Sequence, residues 1–576
     1  MVKFEYKFWM PDEGYINGRN HPKKDMGTSG VRLRIWHMAL VQVPVEFTRA
    51  GNTDHNGSSL PISDDEIFTY GTAGFRFHSS ILPFIAFRIG YLASLRARVT
   101  NSRVGVMITA SHNPEDDNGL KIVDPDGEML DVSWEEHATN LINATDFEFP
   151  TVYRAFETQF VLEPEMPTDH AYVYAGMDTR ESSPYLLRAV RLGVELGDTK
   201  AITFGQLTTP QLHYLVAKSN KAGKKVEEKE YYINFAKAFM EMLEILPDRS
   251  ASQHHIFLDC AAGVGAPKMR ELMMHIPESV LSVTLLNETG RLNSQCGADF
   301  VKIERNLPSN SEKIPEEAKA ASFDGDADRL IYFYKKSGKC RILDGDKIAC
   351  LFAKFIGENL RAANLYGQLS IGIVQTAYAN GNSMKHIRET LQMPVVLVKT
   401  GVKHLHKEAK KYDIGVYFEA NGHGTVIFGS KFHKKMESIE QTAPVLRLRK
   451  FANLINFAVG DAITDMLAVE AVLRFYDWSI EDWDTDLYED APSCQLKVPV
   501  RDRSIFKTTK DETRLVTPES IQKIIDELVK TNNCGRAFAR PSGTENIVRV
   551  YAEGSSEANA KQLAQAIAKR IAAHEQ

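Results

Sequence analysis

The stretch VMITASHNPEDDNGLK, residues 106–121, decides how this chain of 576 residues is read. Val104, Val106, Met107 and Ile108 predict a short buried strand. Pro114 and the Asp-Asp-Asn-Gly group at 116–119 predict its stop. Ser111 then sits on a loop just past the carboxyl end of a strand, the edge at which α/β sheets bind ligands. Taken alone, the same residues make a polar turn behind a core strand. The sequence further out separates the two readings.

Three more junctions run an apolar strand into a polar, glycine-containing loop: KAASFDGDADRLIYFY at 319–334, DIGVYFEANGHGTVIF at 413–428 and RAFARPSGTENIVRVYAE at 536–553. From Ile67 onward, strand, loop and amphipathic helix alternate. That predicts an α/β chain with a smaller α+β unit at its end. With roughly one junction per domain, the expected domains are 56–205, 206–333, 334–480 and 481–576. Residues 1–55, rich in Gly, Asn and His, are expected to be a disordered N-terminal extension. ILPFIAFRIGYLASL, 81–95, contains Arg88 and predicts a buried helix rather than a membrane span. FANLINFAVGDAITDMLAVEAVLRFY, 451–476, predicts the helical close of the third domain, and DWSIEDWDTDLYEDAPS, 477–493, an acidic linker.

Composition narrows the function. Hydrophobic content of 43% and charged content of 25% are those of an ordinary globular protein. A net charge of −6 exerts no global pull on nucleic acid or anionic membrane, so any anion site is local. Six cysteines without a C-x-x-C pair argue against a disulfide framework or a zinc site. The start, MVKFEYKFWMPDEG, mixes charges and lacks the early apolar run of a signal peptide. A cytoplasmic enzyme or binding protein, drawn to neither nucleic acid nor membrane, is the expectation.

The junctions carry recognisable chemistry. Asp324, Asp326 and Asp328 converge if their loop curls, and held close they repel unless a cation sits among them. Oxygen ligands suit Mg²⁺. A calcium hand is excluded, because its spacing wants Gly at 329 and Glu at 335, where the chain has Arg and Lys. Three carboxylates leave an Mg²⁺ shell incomplete, and a phosphate on Ser111 could fill part of it. Arg540-Pro541-Ser542-Gly543-Thr544, with Arg549, offers two guanidiniums, two hydroxyls and a free backbone, a set suited to a phosphate. Glu419-Ala420-Asn421-Gly422-His423 offers carboxylate, amide and imidazole to several hydroxyls. Gly263 and Gly265 follow the strand HHIFLD but lack the third glycine of a dinucleotide loop. His404 and His406 read as helix-face or core residues before metal ligands.

TASHNP, DGDADR, EANGHG and RPSGTE, in this order, resemble the α-D-phosphohexomutase superfamily from GTAGFR at 71–76 nearly to the end. EANGHG, QTAYANG at 375–381 and KTGVKHLH at 399–406 look most like its phosphoacetylglucosamine mutase branch. The resemblance implies a four-domain architecture, three α/β domains with mixed sheets plus a C-terminal α+β domain around a central cleft. It implies a monomeric enzyme that interconverts N-acetylglucosamine 6-phosphate and 1-phosphate for UDP-N-acetylglucosamine synthesis. One Mg²⁺ and a sugar 1,6-bisphosphate, both intermediate and activator, are implied with it. By this match Ser111 is a phosphoserine, and Asp324, Asp326, Asp328 and the Ser111 phosphate hold Mg²⁺. Arg329, Thr400, Gly401, Lys403, Glu419, Ala420, Asn421 and His423 bind the sugar. Arg540, Pro541, Ser542, Gly543, Thr544 and Arg549 bind the phosphate that is not reacting. His112 and Lys121 are the proton-transfer candidates and Arg76 a charge stabiliser, and the last domain is expected to rotate closed. GTSGVR at 27–32 imitates GTAGFR, but the later copy has the better spacing to Ser111. Alternatives are a phosphoglucomutase or phosphomannomutase, and a catalytically silent phosphosugar-binding protein.

Overall fold

A computed structural model describes residues 42–71, 73–160, 169–247, 254–531, 535–543 and 546–574. The expected N-terminal disorder at 1–41, the GTSGVR copy and Thr544 lie outside them. The boundary at residue 55 needs correction. Phe47 is fully buried, stacked on Phe87 at 6.1 Å, and Arg49 and Asn52 are buried too. Residues 43–55 therefore belong to the first sheet's domain, held by a few anchors that composition alone did not flag.

The first sheet contains β1 (Phe75–His78), β2 (Arg103–Ile108), β3 (Asp117–Val123), β4 (Tyr172–Met177) and β5 (Lys200–Gln206), ordered β1-β3-β2-β4-β5. The second contains β6 (His255–Asp259), β7 (Ser282–Leu286), β8 (Ala320–Phe323), β9 (Leu330–Lys336) and β10 (Lys339–Leu343), ordered β10-β9-β8-β6-β7. The third contains β11 (Ile371–Thr376), β12 (Val395–Val398), β13 (Ile414–Phe418) and β14 (Gly424–Phe428), ordered β12-β11-β13-β14. All three are mixed, with parallel strands beside an antiparallel pair: β2–β3, β8–β9 and β13–β14. The fourth sheet, β15 (Ser493–Pro499), β18 (Arg536–Pro541) and β19 (Ile547–Glu553), is antiparallel. A short ribbon, β16 (Lys507–Thr508) and β17 (Leu515–Thr517), stands apart from it.

The antiparallel pairs correct the sequence reading at its first point. β2 ends at Ile108, as expected, but the Asp-Asp-Asn-Gly group runs into a second strand. β3 begins at Asp117, so the Ser111 loop is a hairpin and not a passage from strand to helix. Asn118 enters the strand because its side chain is satisfied internally, donating to Ser182 Oγ and Ser183 Oγ at 2.9 and 3.0 Å. All four motif loops are hairpin connections of this kind.

The helix Leu82–Thr100 is the expected buried one. Ser79–Thr100 is long and apolar enough to cross a membrane, but it is packed inside the protein. The 451–476 stretch is two helices, Ala443–Leu454 and Ala462–Tyr476, parted by a loop. The acidic linker also needs correction. Ile480–Leu487 is a helix in which Ile480, Trp483 and Leu487 are buried, and Trp483 packs edge-on against Tyr332 at 5.2 Å. Its i, i+3, i+7 apolar stripe was hidden by the acids between.

One apolar core runs without a break through the first three sheets, from Met107 and Tyr174 through Leu258 and Tyr332 to Val416 and Met466. The fourth sheet has its own core, built from Val498, Val548, Val550, Leu563 and Ile567 among others. A small cluster of Ala377, Tyr378, Phe538 and Tyr551 lies where the fourth sheet meets the third domain.

Candidate active site

Ser111 is buried, at 1% exposure, in a left-handed backbone conformation (φ 52°) that costs a β-carbon-bearing residue energy. Its surroundings impose that conformation. Its N–H donates to Thr109 Oγ1 at 2.9 Å, and the Thr109 hydroxyl donates to Asp178 Oδ2 at 2.8 Å. Asp178 also holds Arg180, whose guanidinium donates to the carbonyls of Ser111 and Asn113 at 3.0 Å each. Asn293 donates to the same two carbonyls from the second domain, at 2.8 and 3.0 Å. The serine is thus fixed from two sheets, and its Oγ donates to Asp324 Oδ2 at 2.6 Å.

The metal loop is packed just as closely. A β-carbon on Gly325 would lie 2.6 Å from the Ser111 carbonyl oxygen, and one on Gly263 would lie 2.5 Å from the Gly325 carbonyl oxygen. Glycine is what lets these three main chains touch. This is the role of the GVG segment that failed as a nucleotide loop. One oxygen from each of Asp324, Asp326 and Asp328 falls within 4.8 Å of the others, all in buried carboxylates. Thr209 Oγ1 donates to Asp326 Oδ2 at 2.5 Å, and Lys121 Nζ lies 3.6 Å from Asp326 and 3.8 Å from Asp328. Arg329 Nε lies 3.8 Å from Asp324 Oδ2, and the same guanidinium pairs with Asp299.

Burial, with Asp328 and Asp326 beside it, pushes the Asp324 carboxyl well above its usual range. Burial acts on Asp328 too, but His423, Lys121 and Arg329 outweigh it and hold that carboxyl well below. Against its own burial, Asp328 raises His423, whose Nδ1 meets the Asp328 carbonyl at 2.8 Å. Asp326 Oδ1 and Asp328 Oδ1 are buried oxygens without a hydrogen-bond partner in the protein. Buried, unpaired carboxylate oxygens are costly, and a hard divalent cation is the group that would satisfy them. The residues present fit Mg²⁺.

A cleft of about 240 Å³ opens over this cluster. It brings together Arg76, Ser111, His112, Lys121, Asp328, Arg329, Gly401, Lys403, Glu419 and His423 from the first three domains. His112 Nδ1 is 3.4 Å from Ser111 Oγ, and burial, helped by Arg329 and Arg76, pushes the imidazole down to about 3. Arg76 donates to Asn113 Oδ1 at 3.0 Å, and Lys403 pairs with Glu135 over the Tyr70 ring. Glu419 accepts from Gly401 N–H at 3.3 Å and from Asn421 at 3.4 Å. Ala420 and Asn421 are half-buried beside it. His406, by contrast, is buried against Tyr417 at 3.2 Å, and His404 lines a different groove.

The fourth loop is placed differently. Arg540, Pro541, Ser542, Gly543 and Arg549 are not among the residues lining this cleft. Arg540 and Arg549 stand directly opposite each other across β18 and β19, a like-charge pair that an anion would relieve. Arg540 Nε donates to Tyr378 Oη at 3.1 Å, and its Nη1 is 3.3 Å from Glu512 Oε1.

Four family models match the chain. Phosphoacetylglucosamine mutase AMG1, domains II and III, cover residues 222–331 and 344–478. Phosphoglucomutase/phosphomannomutase domain I and C-terminal domain cover 86–149 and 454–570. The human phosphoacetylglucosamine mutase is 45% identical, over 86% of this chain and 92% of its own length. The chain belongs to the phosphoacetylglucosamine mutase family. The phosphoacetylglucosamine mutase of Saccharomyces cerevisiae is 43% identical over 88% of this chain and 96% of its own. Among solved structures, Aspergillus fumigatus N-acetylphosphoglucosamine mutase in complex with GlcNAc-6P and magnesium superposes with a TM-score of 0.83. It is 41% identical, over 89% of this chain and 97% of that one. An N-acetylglucosamine-phosphate mutase in its product complex also gives 0.83, at 43% identity over 88% and 97%. As a member of the phosphoacetylglucosamine mutase family, the chain is a phosphomutase, which sets aside the silent binder.

Several residues of this site escaped the sequence reading. Asp178, Arg180, Thr209, His213, Asn293, Asp299, Tyr378 and Glu512 each reach a motif loop, or line the cleft, from a distant part of the chain, and Thr109, inside the TASHNP motif, was given no role. Asp178 and Thr209 carried one usable signal, since each lies just past the carboxyl end of a parallel strand, β4 or β5.

Proposed function

We propose that the enzyme interconverts N-acetylglucosamine 6-phosphate and N-acetylglucosamine 1-phosphate by passing a phosphoryl group through Ser111. The observation that carries this reading is the Ser111 Oγ, 2.6 Å from Asp324 at the mouth of a buried carboxylate triad. In the forward half-reaction the substrate's free hydroxyl attacks phosphorus. The P–Oγ bond to Ser111 breaks, a P–O bond to the sugar forms, the hydroxyl loses its proton and Ser111 Oγ gains one. The bisphosphate then turns over and returns its other phosphoryl group by the reverse steps. Mg²⁺ bound by Asp324, Asp326, Asp328 and the serine phosphate supplies charge neutralisation as the phosphoryl group moves.

The chain's own residues do the rest. Thr109, Arg180 and Asn293 keep the serine in one geometry. His112, neutral and facing Ser111 Oγ, relays the proton from the sugar hydroxyl to Ser111 Oγ and does not retain it. Lys121 balances Asp326 and Asp328, and Arg76 and Arg329 bring positive charge to the cleft. Glu419 and Asn421 take sugar hydroxyls. Arg540, Ser542, Gly543 and Arg549 hold the distal phosphate in either orientation of the bisphosphate. Support comes from relatives in complex with GlcNAc-6P and magnesium and with glucose 1,6-bisphosphate. The 1-phosphate product has the anomeric phosphate that a nucleotidyltransferase joins to UTP, which makes UDP-N-acetylglucosamine synthesis its destination. Cytoplasmic residence belongs to the same reading.

The test is a coupled assay on N-acetylglucosamine 6-phosphate with Mg²⁺ and glucose 1,6-bisphosphate, run beside peptide mapping of 106–121. Turnover with one phosphate on Ser111 is expected. Turnover with Ser111 never phosphorylated would refute the mechanism, and faster use of glucose 1-phosphate would refute the substrate.

A further inference from the structure

Glu512 is a buried carboxylate, 6% exposed, that none of the steps above uses. It sits between β16 and β17 in a left-handed conformation (φ 57°). Its loop is closed by Glu512 N–H to the Thr509 carbonyl at 3.0 Å and Thr509 N–H to the Arg514 carbonyl at 2.9 Å. The two carboxylate oxygens face different domains. Oε1 is 3.3 Å from Arg540 Nη1. Oε2 accepts from Thr400 N–H at 3.0 Å and from Thr400 Oγ1 at 2.7 Å. A guanidinium, a hydroxyl and a main-chain N–H converging on one anion are the donors a phosphate takes.

We propose that Glu512 is an internal stand-in for the distal phosphate: its carboxylate occupies Arg540 and ties the ribbon to Thr400 until a phosphosugar displaces it. The proposal rests on the reading of the Arg540 loop as the distal phosphate site. A phosphate dianion and the Glu512 carboxylate cannot share Arg540 without repelling each other in a desolvated setting. Binding therefore releases Glu512, and with it the tie between the fourth domain and the segment after β12. The displaced anion gives the clamp a threshold. It admits a ligand that brings more negative charge than one carboxylate and rejects an uncharged sugar. Glu512 is thus a specificity-determining residue, acting through Arg540.

The experiment measures inorganic phosphate as a competitive inhibitor, and by calorimetry, on the full-length wild type, Glu512→Gln and Arg540→Lys. Glutamine keeps the shape of the side chain and one acceptor oxygen, for Arg540 or for Thr400 but not for both, and removes the charge. Glu512→Gln is expected to bind phosphate roughly ten-fold more tightly, and to lower KM for the phosphosugar more than it changes kcat. Unchanged or weaker phosphate binding would overturn the proposal, since a residue that merely supports Arg540 gives that result. A second measurement needs no variant. Hydrogen exchange in the wild type should speed up at the Thr400 amide and in the 509–514 loop when phosphate is added. Slowed or unchanged exchange there would also overturn it. If Arg540→Lys binds phosphate as the wild type does, the clamp itself is misplaced. If it weakens binding while Glu512→Gln fails to tighten it, only the stand-in falls.

Discussion

The metal loop and the distal phosphate loop are both hairpin connections, yet they are built to opposite standards. Asp324–Arg329 lies inside a core shared by three sheets, touches Ser111 through bare main chain, and is held from outside its own sheet by Ser111, Thr209 and His423. Arg540–Gly543 rides on a sheet with a separate core, which meets the third domain through a few aromatic rings, the hydrogen bonds of Gly381 to Glu553 and Arg536 to Ala379, and the Glu512 bridge to Thr400. The difference follows the chemistry. Phosphoryl transfer is decided by sub-ångström placement of charge, which calls for a rigid common core. Holding either end of a bisphosphate calls for charge and reach, which a separately cored module can supply while it moves.

Variants in the two regions should therefore fail in different ways. The largest effect is expected from Ser111→Ala, with turnover in the coupled assay falling by roughly 10⁴-fold or more and thermal stability unchanged. A smaller loss would mean that another group carries the phosphoryl. Asp326→Asn keeps the bond from Thr209 but removes one of the unpaired oxygens. It should cost on the order of 10²–10³ in kcat and abolish the Mg²⁺ response in titration calorimetry, and chelation of the wild type should do the same reversibly. Ile567→Ala, in the fourth domain's own core, should cost about 2–5 kcal/mol. That loss should appear in scanning calorimetry as an earlier first transition, with the second in place. A single transition shifted as a whole would erase the contrast between the cores.

The smallest effect concerns the metal loop's support. Asp461 caps the helix Ala462–Tyr476, whose first N–H donates to the Ala327 carbonyl at 3.2 Å. Burial pushes the Asp461 carboxyl from 3.8 up to about 6, against the hydrogen bonds from Asn456 and Tyr231. The folded state thus holds this proton more tightly than the unfolded chain. The stabilisation is fully present below about pH 4 and is lost as pH rises through about 6. Asp461→Asn should flatten the denaturant stability curve between those values by roughly 2–3 kcal/mol. A curve parallel to the wild type would remove Asp461 from the account.

The legible part of the sequence was local. Apolar strand, polar loop and glycine stand next to each other in all four motifs, so the fold class, Ser111 and the three aspartates could be read directly. What could not be read depends on residues far apart. Thr109 shows its purpose only when Asp178 is folded against it, and Glu512 only when Thr400 and Arg540 arrive from either side. The hairpin form of the loops was missed because Asp117 and Asn118 look like breakers. Only Ser182 and Ser183, more than sixty residues on, make Asn118 a strand residue. Trp483 was missed because its acidic neighbours dominate the composition of its segment.

The contact of Gly263, Gly325 and the Ser111 main chain bears on how such an enzyme can diverge. No side chain stands between those backbones, so selection has nothing to vary there. Any β-carbon pushes the serine and the metal loop apart. New sugar preferences must arise elsewhere, in the Glu419 loop, the Thr400 segment and the ribbon that carries Glu512. Change should accumulate fastest at the fourth domain's seam and slowest where the chain is thinnest.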